Sequence, residues 1–280
     1  LEVIDKLIAA GVKHMEYTSF VSPKAIPQLA DAQTVTEAVM KKYPGLDLFA
    51  LVPNLRGAQN AYELGLRKVC YVVSLSKSHN KANINRTHEQ SLEAYQEIRA
   101  AYPDLEVVVD LATTFGCPFE GKYNDSQAVV NFLKDYADAG MTTCCLCDTI
   151  GIADPAQVKS VIGELKASYP NLQLQVHFHD TRGLGMVNTM AAIESGVTEV
   201  QSALGGLGGC PFAPGASGNL STEDMVWMLN EMGFKTGVSF SKVLEAAKFQ
   251  AIHIPGNYSG HHIHICLLYT SPSPRDRTRS

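Results

Sequence analysis

Residues 173–180, Q-L-Q-V-H-F-H-D, place Gln175, His177 and His179 on one side of a strand and Leu174, Val176 and Phe178 on the other, because successive side chains of a β-strand point to opposite faces. The apolar face packs under helices, so both imidazoles turn the other way. Two histidines at i and i+2 can give two neutral nitrogens to one divalent ion. A pair of hydrogen-bonded structural histidines is the alternative, and metal is favoured because paired imidazoles at a catalytic end are costly to leave unsatisfied. A second chemical feature is the run G-G-L-G-G-C-P-F-A-P-G-A-S-G-N at 205–219. It is too long and too glycine-rich for a plain strand-to-helix turn, which makes it either mobile or closely apposed to a ligand. It carries one thiol, Cys210, and one amide, Asn219, just before a helix cap at Ser221. A glycine-rich surface loop with an incidental thiol is the other reading, and the residues alone leave the two level.

The elements that must position these groups alternate along the chain. Apolar, β-branched runs at 14–20, 46–53, 68–75, 106–115, 142–149, 172–181 and 199–206 are separated by helical patterns, which implies parallel βαβ units. Gly11, Gly65, Gly140 and Gly196 each follow a helical pattern and precede a strand, where a left-handed helix terminus favours glycine. This repetition predicts an α/β fold, a (β/α)8 TIM barrel, with the helical spacing of Leu1, Ile4 and Ile8 opening the chain where a first strand is expected. The sequence is therefore read as a barrel lacking its first strand; an open doubly wound sheet is the alternative, without a phosphate-binding glycine fingerprint to support it. A barrel's site forms where the strands end. The polar residues expected there are Glu16, Thr18, Ser19, Asn54, Ser74, Thr113, Asp148, His177, His179, Asp180 and Ser202.

The 280 residues are 45% hydrophobic and 18% charged, enough for one sizeable core. Residues 1–265 are read as a single barrel domain. From 266 to 280 a Ser/Pro/Arg tract cannot pack a core, and it is expected to be a disordered or non-native tail. A net charge of −5 gives no general footprint for nucleic acid, and no apolar run is long enough to span a membrane. Seven cysteines without regular spacing argue for reduced thiols. Zinc at Cys144 and Cys147 is disfavoured, since on a strand these two point to opposite faces. A cytoplasmic location is expected, or a mitochondrial one if a transit peptide precedes residue 1.

V-H-F-H-D-T at 176–181, G-L-G-G-C-P-F-A-P-G-A-S-G-N at 206–219, E-Y-T-S-F-V-S-P at 16–23 and C-D-T-I-G at 147–151 resemble the 3-hydroxy-3-methylglutaryl-CoA lyase family. The resemblance covers about residues 1–250, and the cysteine-bearing glycine loop is its most specific part. It implies that His177, His179 and Asn219 are metal ligands, that Cys210 is a catalytic thiol, and that Glu16 and Asp148 are active-site acids. The family's remaining ligand, an aspartate in an Arg-Asp-Gly segment of the first strand, has no counterpart in this sequence.

The activity implied is cleavage of an acyl-CoA, 3-hydroxy-3-methylglutaryl-CoA, to acetoacetate and acetyl-CoA with a divalent metal, Mg2+ or Mn2+. Cys210 or His177 would exchange protons with the reacting groups, while Asp148 and Glu16 would support the site more than do chemistry in it. The alternatives are a lyase for a related 3-hydroxyacyl-CoA, an acetyl-CoA-using synthase of the same barrel family, and a non-catalytic metal-binding fragment. The expected partners are the acyl-CoA substrate and, for assembly, a second copy of the chain in a homodimer.

Overall fold

The computed structural model describes residues 1–209 and 218–265. Seven parallel strands follow one another across a single sheet: β1 (His14–Ser19), β2 (Asp47–Leu51), β3 (Lys68–Ser74), β4 (Glu106–Ala112), β5 (Thr143–Asp148), β6 (Gln173–Phe178) and β7 (Glu199–Gln201). Parallel neighbours need long crossovers, and these are the helices Ala32–Lys42, Leu55–Glu63, His88–Ala101, Ser126–Asp138, Pro155–Ser168 and Gly185–Glu194. Gly11, Gly65, Gly140 and Gly196 all take positive φ, between 82° and 103°, as their places after helices require.

Burial on both faces gives the sheet its shape. Val69, Tyr71, Val73, Val107, Val109, Leu111, Leu146, Val176 and Phe178 pack outward against the helices. Phe49, Cys70, Val108 and Cys145, with Leu51 and Cys147, pack together inside the curl. The run T-C-C-L-C-D of β5 therefore splits its thiols, Cys144 outward and Cys145 and Cys147 inward, and the described cysteines are all free. The sheet is a TIM-barrel-like α/β fold whose edges are β1 and β7, with no pairing between them among the described residues. The helical layer does join there. Ala10, Val3 and Leu7 of the first helical segment pack with Val243, Ala246 and Ala247 of the helix Phe240–His253, and Lys6 pairs with Glu245 at 3.2 Å.

The last strand is shorter than its apolar pattern suggests. It ends at Gln201, and Leu204–Gly206 form a single 3-10 turn with Gly205 at φ 68°. Past Gln201 the backbone pairs with the segment before the next helix instead: the Ala203 N–H donates to the Leu220 carbonyl at 3.0 Å, and the Gly205 N–H donates to the Glu223 carboxylate at 2.9 Å. A two-residue ribbon, Gly116–Cys117 against Gly121–Lys122, also lies beyond β4, where no apolar alternation predicts a strand. Among the described residues no helix is long and apolar enough to cross a membrane.

Leu111 is fully buried between β4 and the helices. Leu111→Ala is expected to cost about 2–5 kcal/mol through lost burial and a residual cavity, read as a lower urea midpoint; a loss below about 1 kcal/mol would show that the helical layer is not packed on this face as described.

Candidate functional site

The alternation of β6 brings His177 into the curl at the level of Cys147 on β5 and Gln201 on β7. Its Nε2–H donates to Oδ1 of Asn219 at 2.9 Å, and its ring centroid lies 5.3 Å from that of His179. His179 and Asn219 face each other across an antiparallel backbone bridge. The bridge is flanked by Leu220 N–H to Phe178 O (3.1 Å) and Asp180 N–H to Gly218 O (3.0 Å). Asn219 in turn donates from Nδ2 to the Leu207 carbonyl, at 2.9 Å. Two imidazoles and one amide oxygen thus gather at the end of β6. Burial holds His177 below its ordinary pKa, and burial followed by the neighbouring His177 takes His179 down to about 3. Both rings are therefore neutral at physiological pH, the form in which imidazole binds a metal. Nδ1 of His179 is buried without any hydrogen-bond partner, a costly state for a polar atom unless something else ligates it.

Asn219 is delivered by a neck of glycine backbone. A Cβ on Gly218, at φ 101°, would lie 2.0 Å from the Gly208 carbonyl oxygen, and one on Gly208, at φ 119°, would lie 2.5 Å from Asn219 Nδ2. The two legs of the loop can press together only because neither carries a side chain. In this part of the loop the glycines serve an approach of backbone to backbone. Cys210 lies outside the described residues.

Deeper in the curl, Glu16 of β1, Cys70 of β3 and Asp110 of β4 bring their acidic atoms within 4.8 Å of one another. The Cys70 thiol donates to Glu16 Oε2 at 3.3 Å. Glu16 sits on the sheet edge and keeps access to solvent, yet protein atoms crowd its carboxylate, and this desolvation raises its pKa. Asp110 is 7% exposed, with Oδ1 unpartnered; burial, then the charge of Glu16, pushes its carboxyl well above the usual range. Two carboxyls so placed resist ionising together. Sequence reasoning missed Asp110 because the run E-V-V-V-D-L-A reads as a buried strand and the aspartate is not at its end. Period-two counting from Val108, which faces inward, would have found it.

Asp148 is placed differently from the other acids. It is fully buried at the end of β5, and its carboxylate accepts the N–H groups of Ile152 (2.9 Å) and Ala153 (3.1 Å). Burial raises its pKa to about 6 against the pull of those bonds. It shapes the loop after β5, whose Ile150 carbonyl receives Arg182 Nη1, at 2.7 Å, from the loop after β6. Asn54 caps a helix through Gly57 N–H, Ser74 bonds His79, and Ser202 bonds Thr222; these are local structural contacts. Thr113 holds φ 58° at the mouth of β4, with its N–H on Thr149 Oγ1 at 2.7 Å.

The family model described as HMGL-like matches residues 1–249. The chain belongs to the HMGL-like family. As a member of it, the chain is 42% identical to the hydroxymethylglutaryl-CoA lyase of Bacillus subtilis over 88% of its own length and 82% of that protein. It is 39% identical to the human mitochondrial hydroxymethylglutaryl-CoA lyase over 89% of its length and 77% of that protein. Among solved structures, the HMG-CoA lyase of Acinetobacter baumannii in complex with coenzyme A and 3-methylmalate superposes with a TM-score of 0.89 at 37% identity, covering 98% of this chain and 90% of that one.

A carboxyl whose pKa is raised by folding holds its proton more tightly folded than unfolded. The stability it supports is present below the unfolded value near 3.8 and declines as pH rises from there toward the raised value of Asp110. Asp110→Asn keeps the shape and removes the charge, so it should flatten that decline and add on the order of 1–3 kcal/mol above the window. Thermal midpoints measured across pH check this; a profile identical to that of the unaltered protein would exclude Asp110 as the titrating group.

Proposed function

We propose that this chain cleaves 3-hydroxy-3-methylglutaryl-CoA to acetoacetate and acetyl-CoA, using a divalent cation held by His177, His179 and Asn219. The observation that carries the reading is that two imidazoles 5.3 Å apart and an amide oxygen meet at the end of β6, where Nδ1 of His179 is buried without a hydrogen-bond partner. The amide oxygen suits Mg2+ or Mn2+, with the imidazole nitrogens better matched to Mn2+ of the two, whereas the inward thiols would select softer metals. The lyase names of the relatives and the coenzyme A bound in the Acinetobacter structure support the substrate class.

The reaction breaks the bond between the carbinol carbon and the carbon next to the thioester. The hydroxyl proton leaves, the bonding electrons pass to the thioester side as an enolate, and a proton returned to that carbon completes acetyl-CoA. A bound cation supplies polarisation of the hydroxyl oxygen, which favours its ionised form. The remaining work falls to side chains. His177 is held by Asn219 with its ring in the curl, where it would orient the substrate hydroxyl beside the cation it helps to hold. Glu16 and Asp110, whose carboxyls are both raised by desolvation, line the same space and can offer a hydrogen bond to a polar substrate group. Cys210, carried on the glycine loop, is assigned the proton for the enolate carbon. Asp148 fixes the loop after β5 that Arg182 ties to the loop after β6.

Acetoacetate formation from 3-hydroxy-3-methylglutaryl-CoA, coupled to NADH oxidation, tests the reading. Turnover should require added Mg2+ or Mn2+ after chelation. Cys210→Ala should lower kcat by about 10²–10⁴-fold with the thermal midpoint unchanged, and His179→Ala should weaken Mn2+ binding. Full turnover in chelator, or in Cys210→Ala, would overturn the assignment.

A further inference from the structure

Residues 256–265 carry no element in the sequence pattern, yet they form a strap over the root of the glycine loop. Its far end is anchored by Asp224, in the first turn of the helix Thr222–Glu231. That buried carboxylate accepts the backbone N–H groups of His261 (2.7 Å) and His262 (3.0 Å) and, in addition, a ring nitrogen of each histidine. Ile263 seals the anchor by packing with Phe240 and Val243.

From this anchor the strap reaches both legs of the neck. Gly260 N–H donates to the Gly205 carbonyl at 3.0 Å, and the Ser259 hydroxyl lies 3.2 Å from the Gly206 carbonyl and 3.5 Å from that of Asn219. The fit leaves no room for side chains. A Cβ on Gly206 would lie 2.2 Å from Ser259 Oγ, one on Gly205 2.6 Å from the Tyr258 ring, and one on Gly260 2.4 Å from Glu223 Oε1. Glu223 closes the circuit by accepting Gly205 N–H at 2.9 Å. The Ser259 hydroxyl therefore lies against both the leg that leaves β7 and the leg that delivers Asn219.

The geometry points to Ser259 as a positioning residue: the strap clasped by Asp224 sets, through the Ser259 hydroxyl, the backbone from which Asn219 reaches the two histidines. This rests on the reading of Asn219 as a metal ligand. The Ser259 hydroxyl, directed to the Gly206 carbonyl at 3.2 Å, lies 3.5 Å from the backbone carbonyl of Asn219 on the strap side, while the Asn219 side chain is held by His177 and Leu207 on the other. Loss of the hydroxyl removes the strap's contact with that carbonyl and leaves the backbone to the flanking bonds of Leu220 and Asp180, without emptying any part of the apolar core. A group that orients a ligand in this way typically changes metal affinity by about 10–100-fold, whereas a contact serving stability alone changes affinity and apo stability together.

The test is Mn2+ affinity by titration calorimetry on the full chain, with thermal midpoints taken in chelator. Ser259→Ala should weaken Mn2+ by about tenfold with the apo midpoint nearly unchanged, and Ser259→Thr, which keeps the hydroxyl, should recover most of the affinity. If His179→Ala abolishes Mn2+ binding while Ser259→Ala binds as tightly as the unaltered chain, the strap inference fails and the metal reading stands. If the apo midpoint of Ser259→Ala falls and Ser259→Thr recovers no affinity, the hydroxyl serves the fold and the inference also fails. If the unaltered chain itself binds no Mn2+, the metal reading fails and takes the strap inference with it.

Discussion

A single hydrogen bond, from Nε2 of His177 to Oδ1 of Asn219, joins the rigid half of the site to its looped half. His177 belongs to a strand paired on both sides, in register with Cys147 and Gln201, and so has little freedom. Asn219 lies at the end of a glycine-rich excursion between β7 and the helix that follows. Much of the surrounding architecture acts to bring this amide to that imidazole. The bridge to His179 aligns the backbone, the bare Cα atoms of Gly208 and Gly218 let the two legs touch, and the helix cap at Ser221 ends the segment two residues later. Such preorganisation matters because a ligand set that must be assembled at the moment of binding loses affinity to ordering.

The interior of the curl is electrostatically unusual for a packed α/β core. Glu16, Asp110 and Cys70 are held together with no cationic side chain among them, and their burial favours the protonated forms. The two neutral histidines sit toward the mouth of the same space. The curl thus sets carboxyls raised by desolvation, one of them at the solvent-accessible edge, against histidines lowered by burial, an arrangement suited to moving a proton onto or off a substrate lying between them.

Strong periodicity made much of this legible from sequence. The order of seven strands, the inward turn of both imidazoles and the glycines after four helices follow from side-chain alternation and from left-handed backbone, both of which are local properties. What escaped was set by distant partners. β7 stops early where Ala203 turns its N–H to the Leu220 carbonyl of the segment before the next helix. Asp110 is hidden in a run whose other members are apolar on both faces. The strap at 256–265 depends on Asp224, more than thirty residues earlier, and on close approaches to Gly205 and Gly206 that no local pattern encodes. The glycine-rich loop was recognised as special, but the residues alone did not reveal that part of its glycine content serves packing against its own chain.

The account stands on joint ligation by His177, His179 and Asn219, and the most direct measurement is pulsed electron paramagnetic resonance of Mn2+ bound to the chain. Modulation from two directly coordinated imidazole nitrogens is the predicted result. Bound Mn2+ showing no coordinated imidazole nitrogen would place the ion elsewhere and contradict it.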